Sequence, residues 1–182
     1  NINRNVSESV KEFKKIIKKS KKSDIRTKCY ISVAFYCPFE GKVDRGYVCE
    51  LTNKIIDFGI DEIVIADTIG QANPMEVKSL FRDLINTNKS DIFSAHFHDT
   101  QALGLANVFA SLDQGITKFD SSIGGLGGCP FAPGSSGNLA TEDLVSMLEM
   151  MNINTGINLD SLIHTRDLAS RMTSLNLSGR IL

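Results

Sequence analysis

Residues 92–98 read Ile-Phe-Ser-Ala-His-Phe-His, an apolar run interrupted by two histidines, and their reading decides the fold. Side chains alternate faces along an extended strand, so His96 and His98 point the same way. Upstream, Glu62–Asp67 (EIVIAD) is a second such run. Lys28–Cys37 (KCYISVAFYC) is a third, near-continuously apolar and aromatic, as a buried parallel strand is. Helical patterns separate them. Asp44–Phe58 carries Val48, Leu51, Ile55 and Ile56 on one face, with Asp44 suited to the N-cap and Gly59 to the stop. Asn73-Pro74 opens a helix bearing Val77, Leu80, Phe81, Leu84 and Ile85, with proline in the first turn it tolerates. Downstream, Gln101–Gln114 is a third helix ending at Gly115, and Lys118–Ile123 a fourth strand. Thr141 caps a helix through Met150, with Glu142 and Asp143 at its positive end.

The strand ends at Cys37, Asp67 and His98 lie 30 and 31 residues apart, the length of one strand–helix unit. Right-handed crossovers align such strands in parallel. The chemically interesting residues fall at C-terminal strand ends or just after them, where a (β/α)₈ barrel keeps its active site. A doubly wound sheet does the same, but no Gly-rich phosphate fingerprint follows the first strand. Four units cannot close an eight-stranded barrel of about 250 residues. The expectation is therefore one partial domain over residues 1–182, with the first four strands absent and only a helix from about Ser7 to Lys22 before the first unit. An open half exposes two sheet edges, so a complementary half-barrel or a second copy is expected beside it. Position 1 is Asn, not Met, which fits a fragment, a processed product or a split gene.

The 182 residues are 42% hydrophobic and 23% charged, with a net charge of −1. Nothing global favours nucleic acid, and no apolar run approaches the roughly 18 residues of a membrane span. Lysines between positions 11 and 22 interleave with Val10, Phe13, Ile16 and Ile17, an amphipathic helix with a solvated lysine face. The N-terminus has no apolar stretch of a signal peptide. Cys29, Cys37, Cys49 and Cys129 have irregular spacings, so reduced thiols in a cytosol-like compartment are expected.

His96 and His98 at a strand end, followed by Asp99, suit a divalent metal. A glycine loop at 124–128 then brings Cys129, and beyond it the amide oxygen of Asn138. Imidazole fits many divalent ions, whereas a neutral amide oxygen fits the harder ones, so His96, His98 and Asn138 favour Mg²⁺ or Mn²⁺ over a closed zinc site. Cys129 in its loop is a candidate acid or base. Asp67 either caps the following turn or serves the site. Asp99 and Thr100 stand in the same position, and Glu142 either answers the helix dipole or supports Asn138 or the substrate.

These residues carry a resemblance. The motifs Cys37-Pro38-Phe39-Glu40-Gly41, Asp67-Thr68-Ile69-Gly70, His96-Phe97-His98-Asp99-Thr100, Asp120-Ser121-Ser122, Gly124 to Pro130 and Gly137 to Asp143 together resemble the hydroxymethylglutaryl-CoA lyase family of metal-dependent TIM-barrel lyases and synthases. The resemblance corresponds to the C-terminal half of that barrel. It implies cleavage of hydroxymethylglutaryl-CoA to acetyl-CoA and acetoacetate, a step of leucine degradation and ketone-body formation. It also implies metal binding by His96, His98 and Asn138, a loop thiol at Cys129, and supporting acids at Asp67 and Glu142. The family's arginine–aspartate pair at the end of the first barrel strand has no counterpart here. The substrate, the missing N-terminal half-barrel and a homodimer are the partners it implies, in a bacterial cytoplasm or a mitochondrial matrix. A related acyl-CoA condensing synthase or aldolase, or a catalytically inactive fragment, is the competing expectation.

Overall fold

The computed structural model describes residues 4–128, 137–177 and 179–181. An N-terminal helix α1 (Val6–Lys22) is capped by Asn5, whose side chain accepts from Glu8 N–H while Glu8 reaches back to the Asn5 N–H. Then come β1 (Lys28–Ile31), a hairpin of β2 (Tyr36–Cys37) and β3 (Gly41–Lys42), and α2 (Arg45–Ile56). The chain continues through β4 (Glu62–Asp67), α3 (Pro74–Ile85), β5 (Phe93–Phe97), α4 (Gly104–Leu112), β6 (Phe119–Asp120), α5 (Thr141–Met150) and α6 (Leu159–Thr173). The main sheet runs in the order β1-β4-β5-β6, every pair parallel. The expected parallel strand–helix units are present.

Register determines which side chains share a face. Ile63, Ile65, Phe93, Ala95 and Phe97 pack in one core with Val48 and Ile55 of α2, Val77, Leu80, Phe81 and Leu84 of α3, and Val108 of α4. That set lies between sheet and helices, and Phe81, Phe93 and Leu84 are fully buried. At about 25 cal/mol per Å² of buried apolar surface, it is the main source of stability. The alternate residues of the strands line the other face. There Tyr30 is in register with Val64, and Ala66 with His96, which is in turn in register with Asp120.

Several expectations hold closely. β4 spans Glu62–Asp67 as read, α5 spans Thr141–Met150, and Asn73 caps α3 in a capping box with Glu76. Others need correction. The Lys28–Cys37 run is not one strand: β1 stops at Ile31, and Val33 adopts φ 50, rare for a β-branched residue. Its N–H turns to Thr68 Oγ1 at 2.9 Å, and Tyr36–Cys37 pair back antiparallel with Gly41–Lys42. Cys37 therefore ends a strand of the small hairpin and not a strand of the main sheet. Gln101–Gln114 shortens to α4 and Lys118–Ile123 to the two residues of β6. Thr141 is the first residue of α5 and Ala140 its cap position, with no side-chain cap bond. No described helix is long and apolar enough to cross a membrane.

Candidate active site

The C-terminal end of β5 carries the two histidines. His96 lies within the strand and His98 one residue beyond it, their ring centroids 5.3 Å apart. Strand alternation thus places both imidazoles on the face opposite the helices, side by side, as the sequence predicts. His98 is buried and forms an isolated antiparallel bridge with Asn138. The neighbouring backbone extends that pairing: Asp99 N–H donates to Gly137 O at 3.2 Å and Leu139 N–H to Phe97 O at 3.1 Å. The far side of the glycine loop is thereby fastened to the end of β5.

Asn138 also fastens the near side of that loop. Its backbone N–H donates to Gly127 O at 3.2 Å and its side-chain Nδ2 to Leu126 O at 2.8 Å. The backbone at Gly127 takes φ +97, and an added Cβ would stand 2.9 Å from Asn138 Nδ2. Glycine is the residue that permits both. A Cβ on Gly137 would overlap the carbonyl oxygen of Gly125. Gly137→Ala is expected to pry this loop base apart and cost about 1–3 kcal/mol, the usual range for forced overpacking; urea unfolding measures it. Cys129 lies outside the described residues.

With Nδ2 committed to Leu126, the Asn138 Oδ1 acceptor is buried and has no hydrogen-bond partner among the described residues. A buried acceptor left unpaired is costly unless something else meets it. Two imidazoles and this amide oxygen form a donor set that a divalent cation can satisfy. Among the described residues no trio of His, Cys, Asp and Glu gathers closely enough to hold a metal. The set therefore depends on Asn138, and the residues present fit a cation that keeps other ligands of its own.

Glu142 and Asp143 occupy the first turn of α5 and are both buried. Glu142 Oε2 accepts from Gly124 N–H at 3.0 Å, holding the start of the glycine loop, while Oε1 is buried with no hydrogen-bond partner among the described residues. Asp143 Oδ1 accepts from the N–H groups of Arg180 (2.8 Å) and Ile181 (3.1 Å). Arg180 Nη1 lies 2.9 Å from Asp99 Oδ2, and Asp99 Oδ1 accepts from Gly104 N–H at 2.8 Å. Asp99 thus tethers the chain's last described segment and the start of α4.

Asp67 closes β4 with its carboxylate almost wholly buried. Oδ1 accepts from Gln71 N–H at 3.1 Å and Oδ2 from Ala72 N–H at 3.0 Å. Burial pushes its pKa above the ordinary carboxylate value, against those backbone donors, which pull it down. This geometry is that of the turn-capping reading.

A polar network on the histidine-bearing face escaped the sequence reading. Lys28 Nζ lies 2.9 Å from Asp120 Oδ1 and 3.1 Å from Glu62, and Ser94 Oγ donates to Glu62 Oε1 at 2.8 Å. Tyr30 OH donates to Asp120 Oδ2 at 2.7 Å and meets the His96 ring edge to face. His96 Nδ1 is 3.8 Å from Asp120 Oδ2, within reach of charge attraction and too long for a hydrogen bond. His96, with Tyr30 and Lys28 and against partial burial, holds the Asp120 carboxyl well below its ordinary range. Burial, which opposes the Lys28 charge, is outweighed by Asp120 and Glu62, so that pKa rises. The signal was present as alternation, since Lys28 and Tyr30 are polar residues two apart in a run read as near-continuously apolar and aromatic.

Linkage fixes the sign of one consequence. A carboxyl with a depressed folded pKa adds stability above its unfolded value of about 3.9 and loses it as pH falls through the folded value. Asp120→Asn is therefore expected to flatten the loss of stability with acid below about pH 4. Urea unfolding over a pH series checks this; an unchanged slope refutes it.

An open cleft of about 840 Å³ lies elsewhere, lined by Phe35, Lys42, Asp44, Arg45, Asn73 and Glu76 among others, and includes neither histidine.

The family model described as HMGL-like matches residues 1–169. A hydroxymethylglutaryl-CoA lyase of Bacillus subtilis is 45% identical over 163 residues, 90% of this chain and 54% of that relative. The human mitochondrial hydroxymethylglutaryl-CoA lyase is 39% identical over 181 residues, 100% of this chain and 56% of that protein. The structure of an HMG-CoA lyase from Acinetobacter baumannii in complex with coenzyme A and 3-methylmalate superposes with a TM-score of 0.94 at 37% identity, covering 99% of this chain and 59% of that one. The chain spans about half the length of the curated relatives it matches. Its four parallel strands are accordingly part of a TIM barrel.

Proposed function

The chain belongs to the HMGL-like family, whose members are metal-dependent, and from that premise we propose that it supplies one part of a hydroxymethylglutaryl-CoA lyase barrel, as a single partial domain over residues 1–182. The observation that carries the reading is the fastening of Asn138 to both His98 and the base of the glycine loop. Metal donors and loop are thereby built as one unit.

In this reading His96, His98 and Asn138 hold Mg²⁺ or Mn²⁺. A cation held there would supply positive charge that favours loss of the substrate's hydroxyl proton. The hydroxyl would pass its proton to a base of the completed barrel, the carbon–carbon bond would break, and its electron pair would leave on the acetyl-CoA carbon as an enolate; the other product is acetoacetate. Cys129 would give the enolate its proton and recover one from that base. Glu142 holds the loop's first turn, and Asp67 shapes the loop after β4. The proposed setting is a bacterial cytoplasm.

The test is an assay of acetoacetate release from hydroxymethylglutaryl-CoA with Mg²⁺ or Mn²⁺. It uses the chain alone and mixed with the portion of the Bacillus subtilis relative that the chain does not match. Activity that Cys129→Ala lowers by about 10²-fold or more, as loss of a general acid does, supports the proposal. Silence in a folded, metal-loaded mixture overturns it in favour of a condensing synthase or an inactive remnant.

A further inference from the structure

We infer that Asp120 is a positioning residue for His96: it holds the ring with its proton on Nδ1, so that Nε2 is the nitrogen presented to a cation. The inference rests on the proposed metal-dependent reading for its purpose, and on three features of the structure for its content.

The first is where the ring is buried. The His96 side chain is 22% exposed, yet its Nδ1 is buried without a hydrogen-bond partner among the described residues. The accessible part of the ring is therefore the remainder, and the nitrogen turned inward lies 3.8 Å from Asp120 Oδ2. A shift of about 1 Å brings that pair to hydrogen-bond length.

The second is how firmly the acceptor is held. Oδ1 of Asp120 is taken by Lys28 and Oδ2 by the Tyr30 hydroxyl. Each carboxylate oxygen offers about two lone pairs, so Oδ2 keeps one for the ring. Lys28 also contacts Glu62, which accepts from Ser94. The carboxylate is thus held on both oxygens from β1, with Lys28 itself braced by Glu62 of β4, and it cannot turn away from His96 without breaking those contacts.

The third is register. His96 and Asp120 are directly paired between β5 and β6, and Tyr30 packs edge to face on the ring. Strand pairing fixes their separation, whereas a loop carboxylate would drift. A carboxylate behind a ligating imidazole fixes tautomer and orientation, and removing such a partner costs 10–100-fold in metal affinity.

The test reads the ring itself. In ¹⁵N-labelled, metal-free chain, imidazole nitrogen shifts report which nitrogen carries the proton. The chain has three histidines, so substituting His98 and His164 assigns His96. The expected result is Nδ1–H in the unmodified chain, a shift toward Nε2–H in Asp120→Ala and a smaller one in Asp120→Asn. Mn²⁺ titration by calorimetry should weaken about 10–100-fold in Asp120→Ala. Tyr30→Phe, which leaves the carboxylate in place, should keep the Nδ1–H form. A predominantly Nε2–H His96 ring in the unmodified chain overturns the inference whether or not the Asp120 variants fold. So does a folded Asp120→Ala with unchanged tautomer and Mn²⁺ affinity. The ring measurement needs no metal, so it decides the role of Asp120 even in a chain that cleaves no hydroxymethylglutaryl-CoA, a failure that counts against the lyase reading alone.

Discussion

Alanine at either His96 or His98 is expected to weaken Mn²⁺ binding by about 100-fold or more, equivalent to about 2.7 kcal/mol, without unfolding the chain. The proposed donor set has three protein members, two of them imidazoles 5.3 Å apart between centroids. No cluster of acids or thiols among the described residues stands ready to replace one. The two variants should differ in stability. His96 is partly exposed at the end of β5, whereas His98 is buried and its backbone bridges to Asn138. His98→Ala should therefore lower Tm more, through the packing it loses beside the loop base. Calorimetric titration with Mn²⁺ and thermal unfolding followed by circular dichroism separate the two effects. Variants that fold and bind Mn²⁺ like the unmodified chain would remove the histidines from the metal site.

Asp67→Ala carries the second large effect, a loss of about 2–4 kcal/mol of stability. Asp67 is 1% exposed and Ala72 fully buried. Truncation strands the buried Ala72 N–H donor at the turn into α3, at about 1–3 kcal/mol, and removes the bond to exposed Gln71, worth about 1 kcal/mol. Its raised pKa sets the pH dependence. A group with a raised folded pKa contributes stability that is complete below its unfolded value and fades as pH rises through the folded value. The penalty of Asp67→Ala should therefore be greater near pH 4 than at pH 7. Asp67→Asn, which keeps one acceptor, should recover part of the loss. Full lyase activity in a folded Asp67→Asn chain, assayed in the complemented mixture, would assign Asp67 to the turn alone; loss of activity at preserved stability would assign it to the site.

How far the sequence could be read depended on the range of the interactions involved. The Glu62–Asp67 strand and the Asn73 cap are set by adjacent residues: a continuous β-branched run in one, a capping box between residues three apart in the other. Both were legible. The Lys28–Cys37 run was misread because its break depends on a partner 35 residues away. Val33 leaves the strand with its N–H on Thr68, and Tyr36–Cys37 pair with Gly41–Lys42 instead of with the main sheet. Composition alone favoured one long strand there. Likewise, the histidine pair could be read from its spacing of two. Its neighbours Lys28, Tyr30 and Asp120 could not, because 90 or more residues separate Asp120 from the other two.

The sequence by itself determined the parallel strand–helix architecture, the shared face of His96 and His98, and the family resemblance, because periodicity and short motifs act within a few residues along the chain. Only the tertiary structure decided that Asn138 fastens the glycine loop to the end of β5. It alone decided that Glu142 holds the loop's start, that Arg180 spans Asp99, and that a pinned carboxylate stands behind His96. Each of these is a hydrogen bond or ion pair between segments that the chain keeps far apart, and parallel pairing of β5 and β6 with the return of the chain at Leu139 brings them within bonding distance. Such contacts leave no periodic trace in the sequence, since their partners are selected by register and packing.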